Sequence, residues 1–159
     1  MSIDIVASLD TDWFNGVTSW SLAYNYTRTK VENFNPETVD AARILQIEQT
    51  TPDTRVNLTA LHQMNQLRVT GRLSYYGDFW DHEAGGTFDD ALTADLELAY
   101  DLDDNATIMI GGRNITNEKG CTLDDCGSYP STDLGNQYSQ FSPFGFSGAF
   151  WYTRLQYRF

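Results

Sequence analysis

Apolar and polar residues alternate one by one in seven stretches of this 159-residue chain. In the last stretch, for example, Trp151, Leu155 and Tyr157 are separated by polar residues such as Arg154 and Gln156. Successive side chains of a β-strand point to opposite faces, so a period of two predicts a strand with one apolar and one polar face. The seven apolar series begin at Ile3, Trp20, Val56, Leu67, Leu92, Ile108 and Ala149. The sequence therefore predicts an all-β fold.

The links between these strands alternate in length. Short links near residues 14–16, 63–66 and 101–105 alternate with long links at 30–53, 77–90 and 118–146. The first short link contains Asn15-Gly16, a pair typical of tight hairpin turns. Bacterial outer-membrane barrels have tight turns on the periplasmic side and long loops outside. The pattern thus predicts a transmembrane antiparallel up-and-down β-barrel segment, with about seven strands of a larger barrel.

One long link carries helix signals. Asn35 can cap a helix, Pro36 suits the first helical position, and Glu37 would meet the positive end of the helix dipole. The helix should stop before Thr50, because Pro52 follows closely. We therefore expect a short helix over residues 36–49.

Acidic residues outnumber basic ones, and the formal net charge is -12 at pH 7. This charge argues against a nucleic-acid partner, because the phosphate backbone is itself negative. The chain has no apolar stretch of about 18 residues and no secretory leader, so no membrane-spanning helix is predicted. Since a barrel must be exported, we expect the natural N-terminus to lie upstream of Met1.

Two cysteines and one histidine-containing segment could carry chemistry. Cys121 and Cys126 are separated by four residues in a link rich in Gly, Asp and Ser, which favours a disulfide-closed loop over a zinc site. His82 lies beside Asp81 and Glu83, but consecutive residues rarely converge on one ion, so we expect a solvated outer loop and no metal. No nucleophile with a matching base is recognisable, and the sequence does not predict an enzyme.

Four segments, taken in order, resemble the C-terminal barrel hairpins of TonB-dependent receptors of the bacterial outer membrane. They are residues 43–48 (RILQIE) followed by Pro52 and Arg55, then 73–78 (LSYYGD), 111–118 (GGRNITNE) and the closing strand 142–159 (SPFGFSGAFWYTRLQYRF). The resemblance covers essentially the whole chain. It implies that residues 1–159 are the C-terminal β-barrel portion of such a receptor, without the N-terminal plug domain.

The resemblance also implies function and partners. Receptors of this family import scarce nutrients such as a ferric siderophore, cobalamin or an oligosaccharide through a barrel of about twenty-two strands. The TonB complex would be contacted through the missing N-terminal part, and outer-membrane lipid would surround the wall. The outer-membrane assembly machinery would read the terminal pattern Leu155, Tyr157 and Phe159.

Aromatic residues in the long links are candidate ligand contacts. Trp80, Tyr129, Tyr138 and Phe141 lie among Asp, Asn and Gln, a combination that suits siderophores, cobalamin or oligosaccharides. The plain alternative for each residue is loop packing or an aromatic girdle at the membrane interface.

A soluble carbohydrate-binding β-sandwich is the main alternative to the barrel. It would direct the apolar face of every strand into one shared core between two sheets. The residues buried there would be Ile3, Trp20, Leu58, Leu73, Leu96, Ile110 and Leu155. A small outer-membrane enzyme is a third and weaker alternative. It would require a nucleophile and a base that converge on one site, and no such arrangement is recognisable in the sequence.

Overall fold

The computed structural model describes residues 1–120 and 138–159 of the chain. Its elements, in chain order, are β1 (Ser2–Trp13), β2 (Gly16–Thr27), α1 (Ala41–Gln49), β3 (Thr54–Met64), β4 (Leu67–Tyr76), β5 (Phe79–Asp81), β6 (Gly86–Phe88), β7 (Ala91–Asp101), β8 (Ala106–Arg113) and β9 (Phe150–Tyr157). Within these two ranges, every helical segment falls short of the length and apolarity that a membrane-spanning helix requires.

Seven strands form one antiparallel sheet in the order β1-β2-β3-β4-β7-β8-β9. Each strand pairs with the next long strand in the chain, which is up-and-down connectivity. The two short strands β5 and β6 pair only with each other and form a separate hairpin. The predicted all-β fold with seven long strands is confirmed, whereas the hairpin within the 77–90 link was not predicted.

The β1–β2 and β3–β4 links are two-residue turns that contain left-handed residues. Phe14 and Asn15 have φ of 44° and 57°, the backbone of a type I′ turn, whose twist matches that of the flanking strands. Gly16 was expected to lie in this turn, but it already belongs to β2. A glycine at this position lets the backbones of β2 and β3 approach closely, because a Cβ atom at Gly16 would lie 2.2 Å from the backbone oxygen of Gln63.

Strand register keeps the alternating apolar series of all seven strands on one face. Leu22 lies opposite Leu58, Leu58 opposite Leu73, and Leu73 opposite Ala94. In the last pair of strands, β8 and β9, Ile108 lies opposite Leu155. Because a slip of one residue would turn a strand's apolar side chains to the other face, this register is specified by the alternation itself.

The apolar face is exposed, and this rules out the sandwich. Leu73, Ile110 and Leu155 are 45%, 54% and 68% exposed, and Leu58 and Leu96 are also exposed. In a sandwich these side chains would be sequestered between two facing sheets. The seven strands instead form a single layer, so the prediction of a shared inter-sheet core is wrong.

Helix α1 begins later than predicted. Its N-cap is Asp40, whose side chain accepts a hydrogen bond from the Arg43 amide at 2.7 Å. Asn35 instead closes a turn, accepting from the Glu37 amide at 2.9 Å, because an Asn side chain readily bonds to the backbone two residues ahead. The predicted end is confirmed, since α1 stops at Gln49, before Thr50.

Candidate ligand-facing site

The long links meet at one end of the sheet. Antiparallel pairing brings the end of β2 beside the start of β3, and the end of β4 beside the start of β7. The β5–β6 hairpin contacts both α1 and residues 138–144, and we call these three pieces the loop cluster. The sequence-predicted aromatic residues that the structure describes belong to this cluster.

The hydrophobic centre of the loop cluster is a pair of phenylalanines. The rings of Phe79 and Phe88 stack with centroids 5.1 Å apart, and both residues are almost fully buried. Phe141 and Ala84 pack against this pair. Phe79 and Phe88 are thus among the most buried apolar residues of the described chain, although they lie in a link and not in the seven-stranded sheet.

The structure places three of the four candidate ligand residues in this cluster. Trp80 lies in β5 and is 9% exposed. Phe141 packs on the phenylalanine pair and also contacts His82, with ring centroids 4.8 Å apart. Tyr138 has a different partner, the ammonium group of Lys119, 5.4 Å from its ring. Tyr129 lies outside the described residues. Ligand contact by these residues remains a prediction.

Asp81 is the buried polar centre of the loop cluster. It is 0% exposed, and its Oδ1 accepts hydrogen bonds from the amides of Glu83 at 2.8 Å and Ala84 at 3.2 Å. Its Oδ2 accepts from the hydroxyl of Ser139 at 2.6 Å, and Ser139 is also 0% exposed. The expectation of a solvated loop is therefore wrong for Asp81, because its carboxylate oxygens are used inside the protein.

His82 binds protein groups on both sides. Its Nδ1 is 3.1 Å from the amide nitrogen of Gln46 in α1, and its ring contacts Phe141. Within the part of the chain that the structure describes, no three His, Cys, Asp or Glu side chains are arranged to hold a metal ion. Helix α1 is held further by Glu48, whose carboxylate accepts from the Val31 amide at 2.7 Å.

A cleft of about 230 Å³ opens between α1, β5 and the adjoining strand ends. Its lining consists of Arg28, Thr29, Glu48, Gln49, Thr51, Asp53, Asp78, Phe79 and Trp80. Three carboxylates thus face one guanidinium. The cleft is smaller than the roughly 300–1,000 Å³ of a complete small-molecule site, so by itself it could hold only part of a ligand.

Charged side chains on the polar face of the sheet are hydrogen-bonded to neighbouring groups. The hydroxyl of Tyr152 donates to Glu97, and Asp95 accepts from the amide of Asn114 at 2.8 Å. Nearer the short turns, Arg68 and Asp101 form an ion pair at 2.9 Å. This face is therefore suited to contact with water or another polar surface.

Strand β9 carries the predicted assembly residues on the edge of the sheet. Leu155 and Tyr157 lie on the apolar face, opposite Ile108 and Ala106. The ring of Tyr157 contacts the ring of Phe159, with centroids 5.2 Å apart. Recognition of this pattern by assembly machinery remains a prediction. The predicted Cys121–Cys126 disulfide lies outside the described residues.

The fold is that of the β-barrel part of a TonB-dependent receptor. Two crystal structures of mutants of the ferric enterobactin receptor of Pseudomonas aeruginosa match 97% of this chain, with TM-scores of 0.61 and 0.63 and 19% sequence identity. The resemblance inferred from the sequence is thus confirmed at the level of the fold. The chain spans 22% of the length of those receptor chains. No protein-family model and no curated protein matches the chain.

Proposed function

We propose that residues 1–159 form the C-terminal β-barrel portion of a TonB-dependent receptor that imports a scarce nutrient across the bacterial outer membrane. The observation that carries the proposal is the register, which gives all seven strands a common exposed apolar face and a common polar face. A large contiguous apolar surface marks contact with a membrane or a partner. In a barrel wall this face meets lipid, and the polar face lines a hydrated interior.

The length of the links sets the proposed orientation. The two-residue turns at Phe14-Asn15 and Asn65-Gln66 and the β7–β8 turn would lie on the periplasmic side, and the loop cluster would lie outside the cell. The seven long strands of the described residues form an open sheet, so closure of the barrel would require further strands. The plug and the contact with the TonB complex would likewise be contributed by other parts of the receptor.

The proposed ligand is a small molecule or an oligosaccharide captured at the loop cluster. A ferric siderophore, cobalamin and an oligosaccharide all offer surfaces for Trp80, Tyr129, Tyr138 and Phe141. The charge of the cleft distinguishes among them, because carboxylates of Glu48, Asp53 and Asp78 outnumber the single guanidinium of Arg28. This excess of negative charge favours a neutral polyhydroxyl ligand over an anionic ferric siderophore.

The proposed role of β9 is in assembly. Leu155, Tyr157 and Phe159 would present an apolar strand end to the outer-membrane assembly machinery, and no catalytic activity is proposed for any residue. Among the described residues no strand pairs with the outer edges of β1 and β9, and a wall segment needs such edges to pair with the strands that close the barrel.

Labelling of single cysteines tests the membrane placement and the orientation. In the natural full-length protein with Cys121→Ser and Cys126→Ser, Glu37→Cys in a long link and Asp104→Cys in a short turn each provide one exposed thiol. A membrane-impermeant maleimide should label Glu37→Cys in intact cells and Asp104→Cys only after the outer membrane is permeabilised. Equal labelling of both in intact cells, or recovery of the protein in the soluble fraction, would refute the proposal.

A further inference from the structure

Two long links that leave different strand pairs are joined by one buried hydrogen bond. The carboxylate of Asp81, in the β4–β7 link, accepts from the hydroxyl of Ser139, in the β8–β9 link, at 2.6 Å. The two residues are 58 positions apart, and both are 0% exposed. Long loops at a sheet end usually vary and move independently, so a completely buried carboxylate that connects two of them requires an explanation.

Burial of a carboxylate is costly unless its oxygens are bonded. Asp81 meets this requirement with three donors: the hydroxyl of Ser139 and the amides of Glu83 and Ala84. Hydrogen bonds to a charged acceptor are stronger than neutral ones. Asp81 therefore fixes the shape of its own hairpin through one oxygen and holds the second link through the other.

Other contacts between the same two links surround this bond. Phe141 packs on the stacked pair formed by Phe79 and Phe88, and its ring meets His82. The side-chain amide of Gln140 donates to Glu83 at 2.7 Å. Opening of the bond to Ser139 would disturb these contacts together, because they connect the same two short segments.

We propose that Asp81 is a positioning residue that unites the β5–β6 hairpin with residues 138–144 in one cooperatively ordered unit. The bond to Ser139 fixes the segment that carries Phe141 against the hairpin that carries Trp80, so the positions of these two aromatic residues are set before any ligand arrives. Only the last step, contact of the pair with a ligand, rests on the function proposed above.

The chain provides a matched control for Asp81. At the opposite end of the sheet, Asp103 accepts from the amides of Asn105 and Ala106, both at 2.8 Å, in the same pattern of residues two and three positions ahead. Asp103 is exposed, and its described side-chain hydrogen bonds stay within its own turn. Its substitution therefore removes the local turn interaction without affecting any connection between long links.

Hydrogen–deuterium exchange of the full-length protein in detergent micelles tests the inference. Ser139→Ala should increase exchange in residues 79–88, in the other link, by about tenfold or more, since loss of a bond to a charged acceptor leaves the carboxylate unsatisfied. Asp81→Ala should increase exchange in both links. Asp81→Asn should largely preserve protection, because an amide can accept from the two backbone groups and donate to Ser139. Asp103→Ala should change exchange only around the β7–β8 turn.

Two results would contradict the inference. If Ser139→Ala accelerated exchange only in residues 138–144, or if Asp81→Asn behaved like Asp81→Ala, the bond would not couple the links in the way proposed. Uptake of a labelled oligosaccharide by cells that carry the same variants separates this inference from the proposed function. Faster exchange in Ser139→Ala with unchanged uptake would support the coupling of the links and refute its role in ligand capture.

Discussion

The proposed lipid contact predicts that one charge on the apolar face will be far more damaging than the same charge on the polar face. Leu96 is the sixth of eleven residues in β7, lies opposite Gly71 and Gly112, and is exposed. Eleven residues at about 3.3 Å each, tilted by about 40°, rise roughly 27 Å, close to the height of an outer-membrane apolar band. Leu96 should therefore lie near the middle of the bilayer.

We expect Leu96→Arg to lower the free energy of unfolding by about 2–4 kcal/mol, the cost of an arginine at the bilayer midplane. Gly71, opposite Leu96 on β4, has open space above it for the longer side chain, so this cost reflects lipid contact more than steric conflict. Leu92→Arg, one residue from the start of β7, should cost only about 0–1 kcal/mol, because charged groups are tolerated near the interface.

Thr70→Arg is the control on the other face. Thr70 lies at a similar height in β4, directly opposite Glu97, so an arginine there would meet a carboxylate and water. Its effect should stay within about 0.5 kcal/mol, as for ordinary surface substitutions. Denaturant unfolding of the full-length protein in lipid vesicles, followed by tryptophan fluorescence, measures all three variants. If Leu96→Arg were tolerated as well as Thr70→Arg, the apolar face would not contact lipid.

Three further predictions concern local features. Gly16→Ala should lower the free energy of unfolding by about 1–3 kcal/mol, because the new methyl group would overlap the backbone oxygen of Gln63. Thermal unfolding would show a lowered midpoint. An unchanged midpoint would contradict the close approach of the two strands at Gly16. Arg68→Ala should lower the free energy of unfolding by less than about 1 kcal/mol, because both side chains of its ion pair with Asp101 are more than a third exposed and the pair is screened by solvent. A larger decrease in denaturant unfolding would mean that the pair is not solvated. Phe159→Ser should reduce the amount of folded protein in the outer membrane, measured by heat-modifiable gel mobility, and normal levels would exclude the proposed assembly role.

The sequence predicted the sheet well because its signal is local. The position of a residue in an alternating run decides its face, so Leu73 and Arg72 could be assigned to opposite faces without knowledge of their neighbours. The number of long strands and their up-and-down order follow from the short links, which force adjacent strands to pair.

The loop cluster could not be predicted in the same way. The β5–β6 hairpin consists of two three-residue strands, too short to give a period, and α1 has two competing capping residues, Asn35 and Asp40. The sequence did mark Trp80 and Phe141 as notable aromatics, but it gave no sign that Phe141 would pack on the hairpin.

The alternation of side chains thus determined, from sequence alone, a sheet of seven long strands with one apolar and one polar face, because that property depends only on neighbouring residues. Tertiary structure alone decided that Asp81 is buried and bonded to Ser139, and that two separate links form one cluster. A contact between residues 58 positions apart depends on where the strands place the ends of the links, and no local pattern in either link carries that information.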